Sequence, residues 1–316
     1  MIKAIWAGNT VYSKFLISVG IILLSATLFT LLGSLTASFI LGINMEELKI
    51  MLQNTTHPQS VTALKIMQTF SAIGAFIVPP FLLAYLFNAR PIHFLALDKG
   101  IRSSSMLIVF IIMIMATPFI NFLGELNAGM HLPGFLKGVE DWMKASEMAA
   151  ADLTKAFLDM TTPMDLIINL FIIALLPAIG EELLFRGIIQ RLFHQWSRNA
   201  HVAVWTSAIL FSAMHMQFYG FFPRMILGAM LGYMFVWSGS LWLPILAHFI
   251  NNAAAVILIY MYKSGVSGID PDKIGTGNES MAAIISLGAT AILFAFLYNQ
   301  RVVGVKFDEQ KIENLN

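Results

Sequence analysis

Long apolar runs alternate with short polar breaks along the whole chain. Runs able to cross about 30 Å of hydrocarbon fall at roughly 15–42, 66–87, 106–124, 164–195, 200–216, 220–238, 242–262 and 281–300, which predicts about eight transmembrane helices. The run at 200–216 is the shortest. Pro79-Pro80 and Pro177 lie inside two of the runs and are expected to kink them, because proline removes an intrahelical donor. Between 125 and 163 the pattern changes. Val139, Trp142, Met143, Ala149, Leu153, Phe157 and Met160 recur near helical spacing, opposite Glu140, Asp141, Lys144, Asp152 and Lys155. A connection of that length is no simple turn. It is expected to be an amphipathic helix lying on the outer membrane interface, with a lid that gates substrate as the alternative.

Composition agrees with a multi-pass membrane protein, since 58% of the 316 residues are hydrophobic and only 12% are charged, far from the usage of soluble domains. The net charge of +1 is dispersed over loops and gives no basis for nucleic-acid binding. The chain has no cysteine, which excludes disulfides, thiolate metal sites, a cysteine nucleophile and thiol lipidation. Its first run lacks a small-residue cleavage site and reads as an uncleaved span. With the N-terminus inside, the inner segments hold Lys3, Lys14, Arg90, Lys99, Arg102, Arg191, Arg198, Arg301, Lys306 and Lys311, so both termini are expected in the cytoplasm. Asn54-Thr55-Thr56 and Asn278-Glu279-Ser280 match glycosylation sequons, a pattern too short to carry weight. Nothing in the pattern fixes an oligomeric state.

The stretch LLPAIGEELLFRGIIQ, residues 175–190, sets Glu181, Glu182 and Arg186 inside a membrane run. Each charge at the centre of a bilayer helix costs about 2.5–3.5 kcal/mol, so the cluster opposes insertion by roughly 8–10 kcal/mol before any partner is found. Successive helical residues differ by about 100°. Glu182 and Arg186, four apart, can therefore pair on one face, whereas Glu181 is left over. An unpaired carboxylate in an apolar site suits a general base, because a desolvated carboxylate takes up protons readily. A helical hairpin centred near Arg198 brings His215 level with Glu181. His248 and Asn252 are four apart on one face of another apolar run, where turning toward lipid would be costly. An imidazole and an amide turned inward suit either metal ligation or stabilisation of an oxyanion. Gly228 and Gly232 on the intervening run permit close helix approach. Singly, each feature has a structural explanation in packing or interhelical hydrogen bonds; together, on separate helices near one depth, they mark a candidate site. His57, His93, His131, His194 and His201 fall in connections or flank the turn and stay outside it, and Tyr219, Tyr233 and the tryptophans read as belt or packing residues.

At these residues the sequence resembles the CPBP family, the CAAX protease and bacteriocin-processing (Abi) intramembrane proteases that include type II CAAX prenyl endopeptidases. Three motifs stand in the family's order: E-E-x-x-x-R as Glu181, Glu182 and Arg186, F-x-x-x-H as Phe211 and His215, and H-x-x-x-N as His248 and Asn252. The resemblance covers about residues 164–262. It implies an all-α bundle of eight membrane helices with an intramembrane polar cavity, and hydrolysis of a peptide bond. Glu181 would activate water together with His215, His248 and Asn252 would stabilise the oxyanion, and Glu182 with Arg186 would hold the site in register. The family is commonly labelled metalloprotease, and Glu181, His215 and His248 could supply a zinc set. A glutamate base with a His/Asn oxyanion site needs no ion, so zinc and a metal-independent mechanism both stay open.

The expected organisation is an N-terminal set of helices with the outer connection (1–163), a CPBP-like catalytic core (164–262), and a last helix with a cytoplasmic tail (263–316). The expected function is an intramembrane endopeptidase of a prokaryotic cell membrane, its cavity opening toward the cytoplasmic half, cutting a hydrophobic peptide or membrane protein within the lipid bilayer. A transporter or proton-coupled relay using the same buried charges, and a non-catalytic scaffold or immunity protein, are the competing readings.

Overall fold

A computed structural model describes residues 4–53, 58–277 and 280–302. The sequon asparagines Asn54 and Asn278, His57, and the basic residues Lys3, Lys306 and Lys311 lie outside the described residues. Among those described, the regular elements are helical throughout. We number the principal ones α1 Val11–Leu41, α2 Met45–Met51, α3 Gln59–Phe87, α4 Pro91–Phe94, α5 Ser103–Ala128, α6 Lys137–Phe157, α7 Pro163–Ser197, α8 Ala200–Met214, α9 Phe221–Ser238, α10 Trp242–Lys263 and α11 Met281–Asn299. Among the described residues, seven helices, α1, α3, α5, α7, α9 (extended by the turn from Phe218), α10 and α11, are long and apolar enough to cross a membrane. The protein is an integral, multi-pass membrane bundle. The expected window at 200–216 is α8, a helix of 15 residues.

That length matters. At 1.5 Å per residue α8 reaches only about 22 Å, short of the ~30 Å hydrocarbon thickness. Its last turn therefore lies within membrane depth, and the chain passes through Met216 with φ 53° and a 3-10 turn at Phe218–Gly220 before α9 begins. Irregular backbone at that depth is tolerated where it is buried in protein or lines a wet cavity. By contrast α7 has 35 residues and spans roughly 50 Å.

The prolines act through wide turns. A π-helical turn at Ile73–Ile77 precedes Pro79-Pro80, and another at Leu170–Leu175 precedes Pro177. Each widening displaces the carbonyls that the proline rings would otherwise strike. A third π turn, Phe185–Ile189, follows Glu182. Helices α8 and α9 pack closely because of the expected glycine pair. A Cβ at Gly228 would lie 3.2 Å from Phe211 and 3.3 Å from Ala208, and one at Gly232 would lie 2.9 Å from Val204.

Contacts sort the bundle into two ends. Ala4 N donates to Tyr85 O, Trp196 reaches Tyr12, Leu241 N donates to Ala96 O, Arg102 bonds Gln300 O and Val302 N donates to Trp237 O, so both described ends of the chain share one side. At the opposite end Asn121 donates to Pro271 O and Ile274 O, Asn127 accepts from Phe222 N, and Lys263 pairs with Asp159 at 3.0 Å. Helix α6 belongs to this second end. It forms over the expected residues, and Lys144 and His131 clasp Glu140 at 2.6 and 3.0 Å. These two partners, Lys144 foremost, hold the Glu140 carboxyl down at about 2, so the clasp stays charged at all but strongly acidic pH.

Candidate active site

Glu182 and Arg186 pair as their spacing demands. Arg186 Nη1 donates to Glu182 Oε1 at 2.8 Å, and both side chains are almost wholly buried, 1% and 0% exposed. The guanidinium is held on two further sides. Its Nη2 donates to Gly228 O at 2.7 Å, and it stacks 4.9 Å from the Phe211 ring centroid. The same ring meets His215 at 5.2 Å, His248 at 6.0 Å and Phe185 at 5.2 Å. Phe211 is thus the apolar spacer that sets the imidazoles of α8 and α10 against the cation of α7.

Glu182 has a second role that its spacing did not reveal. Its Oε1 also receives His248 Nδ1 at 2.9 Å, tying α10 to α7 through a fully buried carboxylate. Glu181, one residue earlier, points elsewhere. Its carboxylate lines a cavity of about 380 Å³ together with His215, His248 and Asn252. The basic side chain within 4 Å of it is His248, whose Nε2 lies 3.9 Å from Glu181 Oε2, beyond hydrogen-bond range. All four sequence-predicted site residues therefore meet around one void.

The two histidines differ in what they can offer. His215 Nδ1 donates to the carbonyl of Phe211 at 2.8 Å; a carbonyl only accepts, so the neutral ring presents an Nε2 lone pair. His248 is flanked by carboxylates, Glu182 at Nδ1 and Glu181 beyond Nε2. Its Nδ1 is fixed by Glu182, which turns Nε2 toward Glu181 and the cavity. Asn252 Nδ2 donates to Ile173 O at 3.1 Å, and its Oδ1 accepts from Asn251 at 3.1 Å. That carbonyl lies in the Leu170–Leu175 π turn, where the backbone ladder is loosened, and Asn252 keeps a second amide N–H. Likewise Ser207 donates to Phe185 O at the third π turn. The wide turns of α7 thus present backbone carbonyls that side chains of α8 and α10 grip, which fixes those helices in register.

Glu181, His215 and His248 line the same cavity. Among the described residues no three His, Asp, Glu or Cys side chains converge as a metal-holding group. Three other described histidines have partners of their own: His93 pairs with Asp98, His131 with Glu140, and His201 with the Tyr233 hydroxyl.

The cavity also holds residues that sequence reasoning passed over. Leu153, Thr154 and Phe157 of α6 and Gln68 of α3 line it, as does Arg224 of α9. The α6 residues place the cavity at the end of the bundle remote from the chain termini. Cytoplasmic termini and a cavity opening toward the cytoplasmic half are therefore incompatible, because an odd number of crossings separates the two ends.

Residues 163–254 match the profile of the family described as type II CAAX prenyl endopeptidase Rce1-like. This stretch, under a third of the chain, is similar to that family. It contains Glu181, Glu182, Arg186, Phe211, His215, His248 and Asn252, but not the α6 residues of the cavity. An uncharacterized protein of Bacillus subtilis (strain 168), YpbD, is 33% identical over 89 residues, which are 27% of this chain and 42% of YpbD. The chain thus spans about two fifths of the length of the curated relative it matches. No solved structure matches it.

Proposed function

We propose that the protein is an intramembrane endopeptidase that hydrolyses a peptide bond of a hydrophobic or membrane-associated peptide with a glutamate-activated water. The observation that carries this reading is the split between adjacent carboxylates: Glu182 is buried and accepts from Arg186 and His248 through Oε1, while Glu181 faces the cavity without a hydrogen-bond donor among the described residues. A water beside Glu181 gives up its proton as its oxygen attacks the scissile carbonyl. The His215 Nε2 lone pair is the second acceptor available to hold that water. As the tetrahedral oxyanion forms, His248 donates from Nε2 and Asn252 from its second amide hydrogen. The proton taken by Glu181 then passes to the departing amine, which closes the cycle. Glu182 and Arg186 position His248.

The experiment that tests the activity compares the proteomes of membranes carrying wild-type protein and Glu181→Ala. A peptide fragment present only with the wild type is the expected result, and identical peptide sets would remove the hydrolase reading.

Orientation follows from basic residues. The terminus-bearing end carries Lys14, Arg90, Lys99, Arg102, Arg198 and Arg301, while the lysines of the α6 end are accompanied by Glu140, Asp141, Glu147, Asp152 and Asp159. The positive-inside rule then puts the termini in the cytoplasm and the cavity on the opposite face. A cysteine-free chain makes this easy to check. In intact cells a membrane-impermeant maleimide should label Ala145→Cys on α6 and spare Ser103→Cys at the start of α5; the reverse pattern would invert the topology.

A further inference from the structure

A second cavity, about 640 Å³, adjoins the first. The two share Arg224, Leu227 and Asn251 as a common wall. Arg224 is the one lysine or arginine among the described residues lining either cavity. Its polar contacts are both with Gln217: Nη2 donates to Oε1 at 2.8 Å and Nη1 to the backbone oxygen at 3.4 Å. Among the described residues no carboxylate lies within ion-pair distance of it, in contrast to Arg186 with its buried Glu182. A guanidinium has five N–H donors in a planar fork, so most of this one's donor capacity is uncommitted. Space has been left for it as well. Gly220 has an ordinary φ of −109°, yet a Cβ there would sit 2.9 Å from Arg224 Nη2. A side chain there would require the tip of the guanidinium to shift.

A cation at membrane depth is expensive; Arg224 feels Glu147 and Glu181 only from beyond ion-pair distance, and it stands on the wall the two cavities share. Resting on the hydrolase reading above, we propose that Arg224 is the anion-binding residue of the substrate site and takes a carboxylate of the bound peptide, either its C-terminus or an acidic side chain, while the scissile bond lies at Glu181. The fork of the guanidinium matches a carboxylate in two parallel hydrogen bonds. Glu125, which lines the larger cavity and accepts from Gly277 N at 3.0 Å, repels a carboxylate there. The peptide's negative charge thus stops at the wall, and only uncharged residues extend past it.

The test is binding, measured apart from cleavage. Fluorescent apolar octapeptides are titrated onto protein in nanodiscs of neutral phosphatidylcholine, where no lipid anion competes. Each comes in two matched pairs: free acid against C-terminal amide, and internal glutamate against glutamine. Wild type and Glu181→Gln should bind at least one carboxylate-bearing member about tenfold more tightly than its neutral partner. Which pair is discriminated identifies the source of the carboxylate. Arg224→Gln should bring that ratio to about one, and Arg224→Lys should restore part of it. Equal binding of both members in both pairs by the wild type, no binding of any peptide, or a ratio that survives Arg224→Gln would overturn the assignment. Hydrolysis of the same peptides is followed in parallel. Discrimination in binding with no cleavage by the wild type would remove the hydrolase reading while leaving the anion site standing.

Discussion

Glu181→Gln is expected to lower peptide hydrolysis by about 10²- to 10⁴-fold, the range typical for loss of a general base, with no change in folding. The amide is isosteric with the carboxylate. The side chain is 13% exposed at the cavity wall, and the imidazole nearest it, His248, is already bonded to Glu182. Removing the Glu181 charge therefore leaves no buried group without its partner. Purified protein should show an unaltered thermal midpoint and elution profile, with turnover reduced through kcat and KM little affected. His215→Ala should act in the same direction, since it removes the second acceptor beside the water. Wild-type turnover in both variants would end the proposed chemistry.

The neighbouring residue gives the opposite outcome. Glu182→Ala is expected to destabilise the protein by about 3–5 kcal/mol, the cost of leaving one member of a buried ion pair behind. Arg186 is held by Gly228 O and the Phe211 ring as well, so it cannot swing out to water. The effect should appear as a lower unfolding midpoint in detergent. A double variant, Glu182→Leu with Arg186→Met, replaces the pair by apolar groups of similar size and should recover much of that loss. Activity should not return with it, because His248 Nδ1 loses the acceptor that orients its ring. Full activity in the double variant would show that Glu182 serves packing alone.

How much of this was legible in the sequence depends on the range of the interaction. Helix spans followed from apolar runs, since a membrane helix satisfies its own backbone and needs only length. The Glu182–Arg186 pair followed from a spacing of four, and the meeting of Glu181 with His215 at one cavity from the level rule for a tight hairpin. The bond between Glu182 and His248 was not legible, because it joins side chains 66 positions apart and depends on how α7 and α10 cross. The π turns were hidden as well. Pro177 announced a distortion, but whether a helix kinks or widens depends on what its neighbours supply, here Asn252; the turn that Ser207 grips had no proline to announce it. Arg224 could have been found. It is a charge in an apolar run, as Glu181 is, and the same insertion cost applied to it would have marked it for a role. The face on which the cavity opens could not be read from motifs, since it depends on which end of the bundle α6 caps.

Helix α8 carries one more implication. Fifteen residues leave about 8 Å of an ordinary bilayer unspanned, and the acyl chains beside it must shorten, splay or yield to solvent. The reaction would then take place at the floor of a dimple in the lipid. Selection of a peptide would begin with how readily the surrounding leaflet deforms, before any side chain is touched.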